Sequence, residues 1–142
     1  MKFQLVTLTG EKLNSDVYEV VIPTTGGEIT VLPNHEPLIT VAKTGVVKVR
    51  YQKEHSDDQF EYFAISGGVV EVSERGVKIL VDEAEHGEEI IEAETQAALE
   101  RAIQLRDSAT DQIELEKAHQ LVDRHAVQLK VAGLRRRHRE RL

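Results

Sequence analysis

The sequence contains no cysteine and no tryptophan, and aromatic residues make up only 4% of its 142 positions. Without cysteine, a disulfide framework, a thiol nucleophile and a thiolate-ligated zinc or iron–sulfur site are all excluded. So few aromatics require an aliphatic core of modest size. No run approaches the roughly 18 consecutive apolar residues of a membrane-spanning helix. The first residues, Met1 to Leu8, go straight into an alternating apolar pattern and carry neither a signal nor a transit peptide, so the simplest expectation is a bacterial cytoplasm. Basic residues are also scarce, with 18 Lys and Arg against 25 Asp and Glu. The resulting charge of −7 argues against nucleic acid as the main partner, because phosphate binding needs positive surface.

What remains falls into two parts of different period. From Phe3 to Val81 the apolar residues form eight short runs: 3–8, 17–22, 28–32, 38–42, 46–51, 60–65, 69–72 and 77–81. They are rich in Val, Ile and Tyr, and several alternate strictly, as Val47, Val49 and Tyr51 do against Lys48 and Arg50. The segments between them carry turn chemistry, among them Pro23 to Gly27, Pro33 to Pro37, Ser66 to Gly68 and Ser73 to Gly76. Short strands with no helix between them predict an antiparallel β-sandwich or flattened barrel over residues 1–87.

Beyond Gly87 there is no proline and one glycine, Gly133, and the composition shifts to strong helix formers. Asp107 to Asp111 interrupts this stretch, with Thr110 or Asp111 suited to cap a new helix and Glu114 near the capping-box position. The expectation is an antiparallel hairpin over residues 88–142, with helices at about 90–107 and 111–138. The fold class is therefore α+β. A narrow seam runs through Ile91, Thr95, Ala98, Ala102 and Leu105 on one helix and Leu115, Ala118, Val122, His125, Leu129 and Ala132 on the other. Burial at ~25 cal/mol per Å² from such small side chains is set against roughly 1–2 kcal/mol for ordering each backbone residue. Such a hairpin needs a surface to lie on, and conditional docking on the sandwich or on another protein follows.

Catalytic constellations are missing. The six histidines include no i, i+4 pair and no metalloprotease motif, and no metal or cofactor site is expected. Gly26-Gly27 and Gly67-Gly68 lack the Lys-Ser/Thr of a phosphate loop, and Ser66 lacks a nucleophile-elbow pattern. The one strong charge feature is the C-terminal tip of Arg135, Arg136, Arg137, Arg139 and Arg141, on a chain otherwise net acidic. At 100° per residue these arginines surround the helix axis, which suits entry into an acidic recess; a solvated end favoured by the helix dipole fits equally well. From the residues alone, a stand-alone adaptor and a nucleic-acid binder acting through the tip also stay open.

Two motifs narrow the choice. Gly27-Glu28-Ile29-Thr30-Val31-Leu32-Pro33-Asn34-His35-Glu36-Pro37-Leu38 resembles the GExxxxPxHxPL segment of the epsilon subunits of F-type ATP synthases. Phe63 to Val72, FAISGGVVEV, resembles that family's SGGxxEV hairpin. Together, in this order and followed by an Ala/Glu/Arg hairpin, they cover essentially the whole chain. The resemblance implies a non-catalytic rotor subunit of the central stalk, peripheral on the cytoplasmic face of a bacterial inner membrane. Its sandwich sits beside the gamma subunit on the ring of c subunits, and its hairpin extends along gamma into the head, among the alpha and beta subunits, to restrain ATP hydrolysis. The family's c-ring contact maps onto Glu28 and His35, and its basic end, which meets an acidic segment of beta, matches the Arg135 to Arg141 tip in character. Some members bind ATP through Ile/Leu-Asp-x-x-Arg-Ala. Here the run is Ile90-Ile91-Glu92-Ala93-Glu94-Thr95, with Ile91 in place of the Asp and Glu94 in place of the Arg, so no nucleotide is expected. Thr30 and Asn34 stand where many relatives have Gly.

Overall fold

Alternation of apolar and polar residues lays the first part of the chain into ten strands, and helix-forming composition takes over after them. The computed structural model describes the backbone of residues 1–141 and the side chains of residues 1–137. The strands are β1 (Lys2–Thr7), β2 (Gly10–Asp16), β3 (Glu19–Thr24), β4 (Gly27–Val31), β5 (Leu38–Ala42), β6 (Gly45–Arg50), β7 (Glu61–Ile65), β8 (Gly68–Ser73), β9 (Gly76–Val81) and β10 (Ala84–His86). Short 3-10 turns cover Asp57–Gln59 and Gly87–Glu89, and helices α1 (Glu92–Asp107) and α2 (Gln112–Arg141) follow.

Hydrogen bonding links the strands in the order β10-β7-β6-β3-β5-β8-β9-β1-β2, with β4 added on β3. The β3–β5 link is the single pair Thr24 and Ala42. The sheet therefore folds there into two five-stranded layers, β10-β7-β6-β3-β4 and β5-β8-β9-β1-β2. Their inner faces enclose Phe3, Leu5, Val20, Ile22, Val31, Val47, Val49, Phe63, Ile65, Val70 and Ile79, each at most 2% exposed. All pairings are antiparallel except β1 beside β9.

Two strands lie outside the eight predicted runs. β2 (GEKLNSD) is polar because it is an edge strand that pairs with β1 alone, and only Leu13 packs on the core. β10 has three residues, too few to show a period. Gly68 illustrates why the second motif carries small residues. A Cβ there would lie 2.0 Å from the Leu80 carbonyl oxygen across the β8–β9 pair, so any side chain forces the strands apart.

The hairpin forms as expected, with two shifts. Ile90 and Ile91 precede α1: Ile91 is extended at φ −101°, ψ 107°, and 57% exposed, while Ile90 is buried. The buried stripe of α1 centres on Ala102 and turns toward Leu99 and Arg106, leaving Leu105 56% exposed. Asp111 caps α2 by accepting the Glu114 amide at 2.8 Å, and Glu114 reaches back to the Thr110 amide at 3.1 Å. This reciprocal pairing satisfies orphan donors on both sides of the turn.

Candidate functional site

Helix α2 lies across the outer face of β6 and β7, while α1 packs along α2 and has no comparable contact with the sheet. Alternation along β6 sends Val47 and Val49 inward and Val46 outward, yet Val46 is only 7% exposed because α2 covers it. The face that alternation predicts to be wet is thus partly dry. Val46, Ala64 and Ile90 meet Val131 and Ala132, with Tyr62, Val127 and Leu134 at the margin. This second cluster is small beside the core between the layers.

Polar contacts ring the patch. Arg124 pairs with Glu83 at 2.7 Å, Gln128 donates to Glu85 at 2.8 Å, and Arg135 donates through Nη1 to the Gly87 carbonyl at 2.7 Å. His125, predicted to lie in the seam, is half-buried and bonds Gln128 Oε1 through Nδ1 at 2.9 Å. His86 meets Glu61 and sits edge-on to Phe63, 4.9 Å between ring centroids. None of these long-range pairs carries a sequence signature.

The tip arginines separate. Arg136 donates to Glu92 at 2.8 Å, whereas Arg137 donates to the Gly133 carbonyl at 3.4 Å and lines a recess with Lys48, Asp57, Asp58 and Tyr62. The side chains of Arg139 and Arg141 lie outside the described residues. Glu28 and His35 are not brought together. Glu28 is exposed at the start of β4, an edge strand, and His35 sits in the turn beyond the strand's other end. The His35 amide donates to the Leu32 carbonyl at 3.2 Å. Asn34 adopts φ +70°, the left-handed region that Asn tolerates better than most residues, so it holds this turn without glycine.

Between the hairpin and the body is an open recess of about 340 Å³, lined by Glu83, Glu85, Glu89, Glu94, Arg101, Arg124 and His125 among others. Burial raises the pKa of Glu85; Glu89 and Glu83 raise it further, against Lys12 and Arg124. Four carboxylates and two arginines share this wall, with Glu83 paired to Arg124 and Glu89 to Lys12. Ser66 is occupied structurally: its Oγ accepts the Glu83 amide at 2.8 Å, closing the β7–β8 turn onto the β9–β10 turn. Among the described residues no group of three or more His, Cys, Asp or Glu side chains is placed to hold a metal. No described helix is long and apolar enough to cross a membrane.

The other layer presents its outer face uncovered. Val41 pairs with Val69, Val69 with Leu80, and Leu80 with Val6, so one apolar row crosses β5, β8, β9 and β1. Val41, Val69 and Leu80 are 52%, 48% and 48% exposed, and Ile39 beside them 75%. Strand-forming composition alone does not separate this row from the core. Pairing register does separate it.

A two-layer sheet body carrying a helical hairpin on one face and an apolar row on the other defines the class: a two-part chain whose distinctive features are surfaces. Residues 1–87 match the ATP synthase, Delta/Epsilon chain, beta-sandwich domain family, and the chain belongs to the ATP synthase epsilon chains. It is 31% identical over 138 residues to the ATP synthase epsilon chain of Rippkaea orientalis, covering 94% of this chain and 98% of that relative. It is 35% identical over 136 residues to the epsilon chain of Staphylococcus aureus, covering 95% and 98%. A chain in the cryo-EM structure of the Euglena gracilis mitochondrial ATP synthase (OSCP/F1/c-ring, rotational state 1) superposes with TM-score 0.75 at 26% identity, over 92% of this chain and 79% of that one. A chain from the central stalk/c-ring structure of the Tetrahymena thermophila enzyme, at 18% identity and TM-score 0.59, shares the fold over 93% and 96%.

Proposed function

We propose that this chain is a non-catalytic subunit of the central-stalk rotor of a proton-translocating F-type ATP synthase, coupling rotation to ATP synthesis, with residues 1–87 as anchor and residues 88–142 as a brake on ATP hydrolysis. The observation that carries the reading is the unequal attachment of the two parts. The sheet body has its own closed core, while the hairpin rests on it through one small apolar patch and a ring of polar contacts. An element held this way has two placements separated by a few kcal/mol, which partners can bias. At about 1.5 Å per residue, the 30 residues of α2 span about 45 Å, enough to carry the arginine tip from stalk toward head.

The apolar row of Val6, Leu80, Val69 and Val41 is the surface assigned here to gamma, since contiguous exposed apolar area marks a contact site. Glu28 and the Asn34–His35 turn are assigned to the polar loops of the c ring, at two ends of the same edge strand. The tip from Arg135 to Arg141 is assigned to an acidic segment of beta. The recess beside Ile91 and Glu94 takes no nucleotide, and a micromolar ATP affinity by calorimetric titration would overturn that assignment. The chain then sits peripherally at the membrane, on the side facing the head.

The test is co-purification followed by kinetics. The chain should be captured with gamma and the c ring, and removal of residues 88–142 should preserve capture while raising the ATP hydrolysis rate. Failure of capture overturns the rotor assignment. Capture with an unchanged hydrolysis rate overturns the brake.

A further inference from the structure

With the hairpin docked, Arg135 and Arg136 near the end of α2 are engaged by the chain itself. Arg135 spans the 3-10 turn that follows β10, donating to the Gly87 carbonyl at 2.7 Å and lying 3.8 Å from the Glu88 carboxylate. Arg136 pairs with Glu92 in the first turn of α1. The Asp57–Gln59 turn brings Asp57 and Asp58 to the recess lined by Arg137. Arg50 braces that turn by pairing with both Glu19 and Asp57 and stacking 4.3 Å from the Phe60 ring centroid. A carbonyl and two carboxylates from the 3-10 turn and the start of α1 thus engage Arg135 and Arg136, with Asp57 and Asp58 lining the recess beside Arg137.

We propose that these groups form a cradle that masks Arg135 and Arg136 in cis: two of the guanidinium groups the extended hairpin would offer to an acidic partner are the ones that help hold it closed. A guanidinium fork pairs with one planar acceptor set at a time, so latch and tip exclude each other. The latch is also poised for release. Arg135 Nε is buried with no hydrogen-bond partner among the described residues, which costs the closed state part of what Nη1 contributes. Arg136 and Glu92 are 58% and 40% exposed, so salt and solvent screen them. The acidic partner rests on the brake reading above, whereas the masking concerns the free chain.

The experiment uses the full-length chain and a fluorescent Asp/Glu-rich peptide as probe. Glu88→Gln with Glu92→Gln weakens the cradle and leaves every arginine in place. Gly87→Val wedges it open, because a Cβ at Gly87 would lie 3.3 Å from Val131 Cγ1 and 3.6 Å from Arg135 Cδ before further methyls are added. Each variant should speed hydrogen exchange in α2 and tighten peptide binding by about threefold to tenfold, since apparent affinity scales with the open fraction. Adding Arg135→Gln and Arg136→Gln should abolish that gain. Unchanged α2 exchange in both variants overturns the latch, and faster exchange with unchanged peptide affinity overturns the masking. If exchange and affinity both rise while hydrolysis by the assembled enzyme is unaffected, the masking stands and the brake reading fails.

Discussion

Replacing Val131 with alanine isolates the hairpin's attachment from the stability of the body. Val131 is fully buried and packs where α2 meets Val46, Ala64 and Ile90. Two methyl groups at ~0.8 kcal/mol each give about 1.6 kcal/mol of lost transfer energy. An unfilled void adds to this at about 24 cal/mol per Å³, reduced where the helix settles onto the sheet. A total of about 2 kcal/mol corresponds to a roughly 30-fold rise in the local opening constant. The assay is hydrogen exchange by mass spectrometry on the full chain at neutral pH. Amides of α2 and α1 should exchange about 30-fold faster, whereas those of β3, β6, β8 and β9 should keep their wild-type protection, because the core between the layers does not involve Val131. Equal acceleration in the inner strands would show instead that body and hairpin open as one unit. An unchanged hairpin would show that Val131 does not hold it.

Glu85→Gln tests the recess electrostatics. Burial, with Glu89 and then Glu83, raises the Glu85 pKa, so its contribution to stability is complete below the ordinary glutamate value and lost as pH climbs through the raised one. The variant keeps an acceptor for Gln128 and should match wild type in urea midpoint in acid, then exceed it toward neutrality; a constant offset would contradict this. Gly68→Ala should cost at least about 3 kcal/mol in denaturant unfolding, because its Cβ meets the Leu80 carbonyl. Leu80→Glu, on the exposed row, should leave the unfolding free energy within about 0.5 kcal/mol of wild type while abolishing co-purification with gamma. Retained co-purification would remove that row from the contact.

The parts legible in the sequence are those written in local chemistry. Val47 and Val49 alternate with Lys48 and Arg50 because the strand has two faces. Asp111 and Glu114 announce a helix start because orphan amides need oxygen acceptors within three residues. Strand β2 is illegible since the β1 ladder, and not apolar burial, holds an edge of Gly, Glu, Lys and Asn. The docking face of α2 was hidden for another reason. The seam carries Ala118, Val122 and Ala132, yet the sheet is met by Val131 and Ala132 with Val127 and Leu134 at the margin, so the docking face overlaps the seam at one residue alone. Arg135 read as a solvated or partner-seeking charge because its acceptor is a backbone carbonyl 48 residues away. Glu28 and His35 stand out by family resemblance alone; the fold adds that Glu28 lies near the start of β4 and His35 in the turn beyond its other end.

Whether one body carries a hairpin with two placements is read best as a distance between the two parts. The chain has no cysteine, so Glu74→Cys on the body and Gln120→Cys on α2, both exposed, accept spin labels at no other position. The expected result is one distance in the free chain and, in the assembled ATP synthase under conditions that suppress hydrolysis, a second population displaced from it by tens of ångströms, on the scale of a helix rising about 1.5 Å per residue. The same single distance in both settings would contradict the two placements.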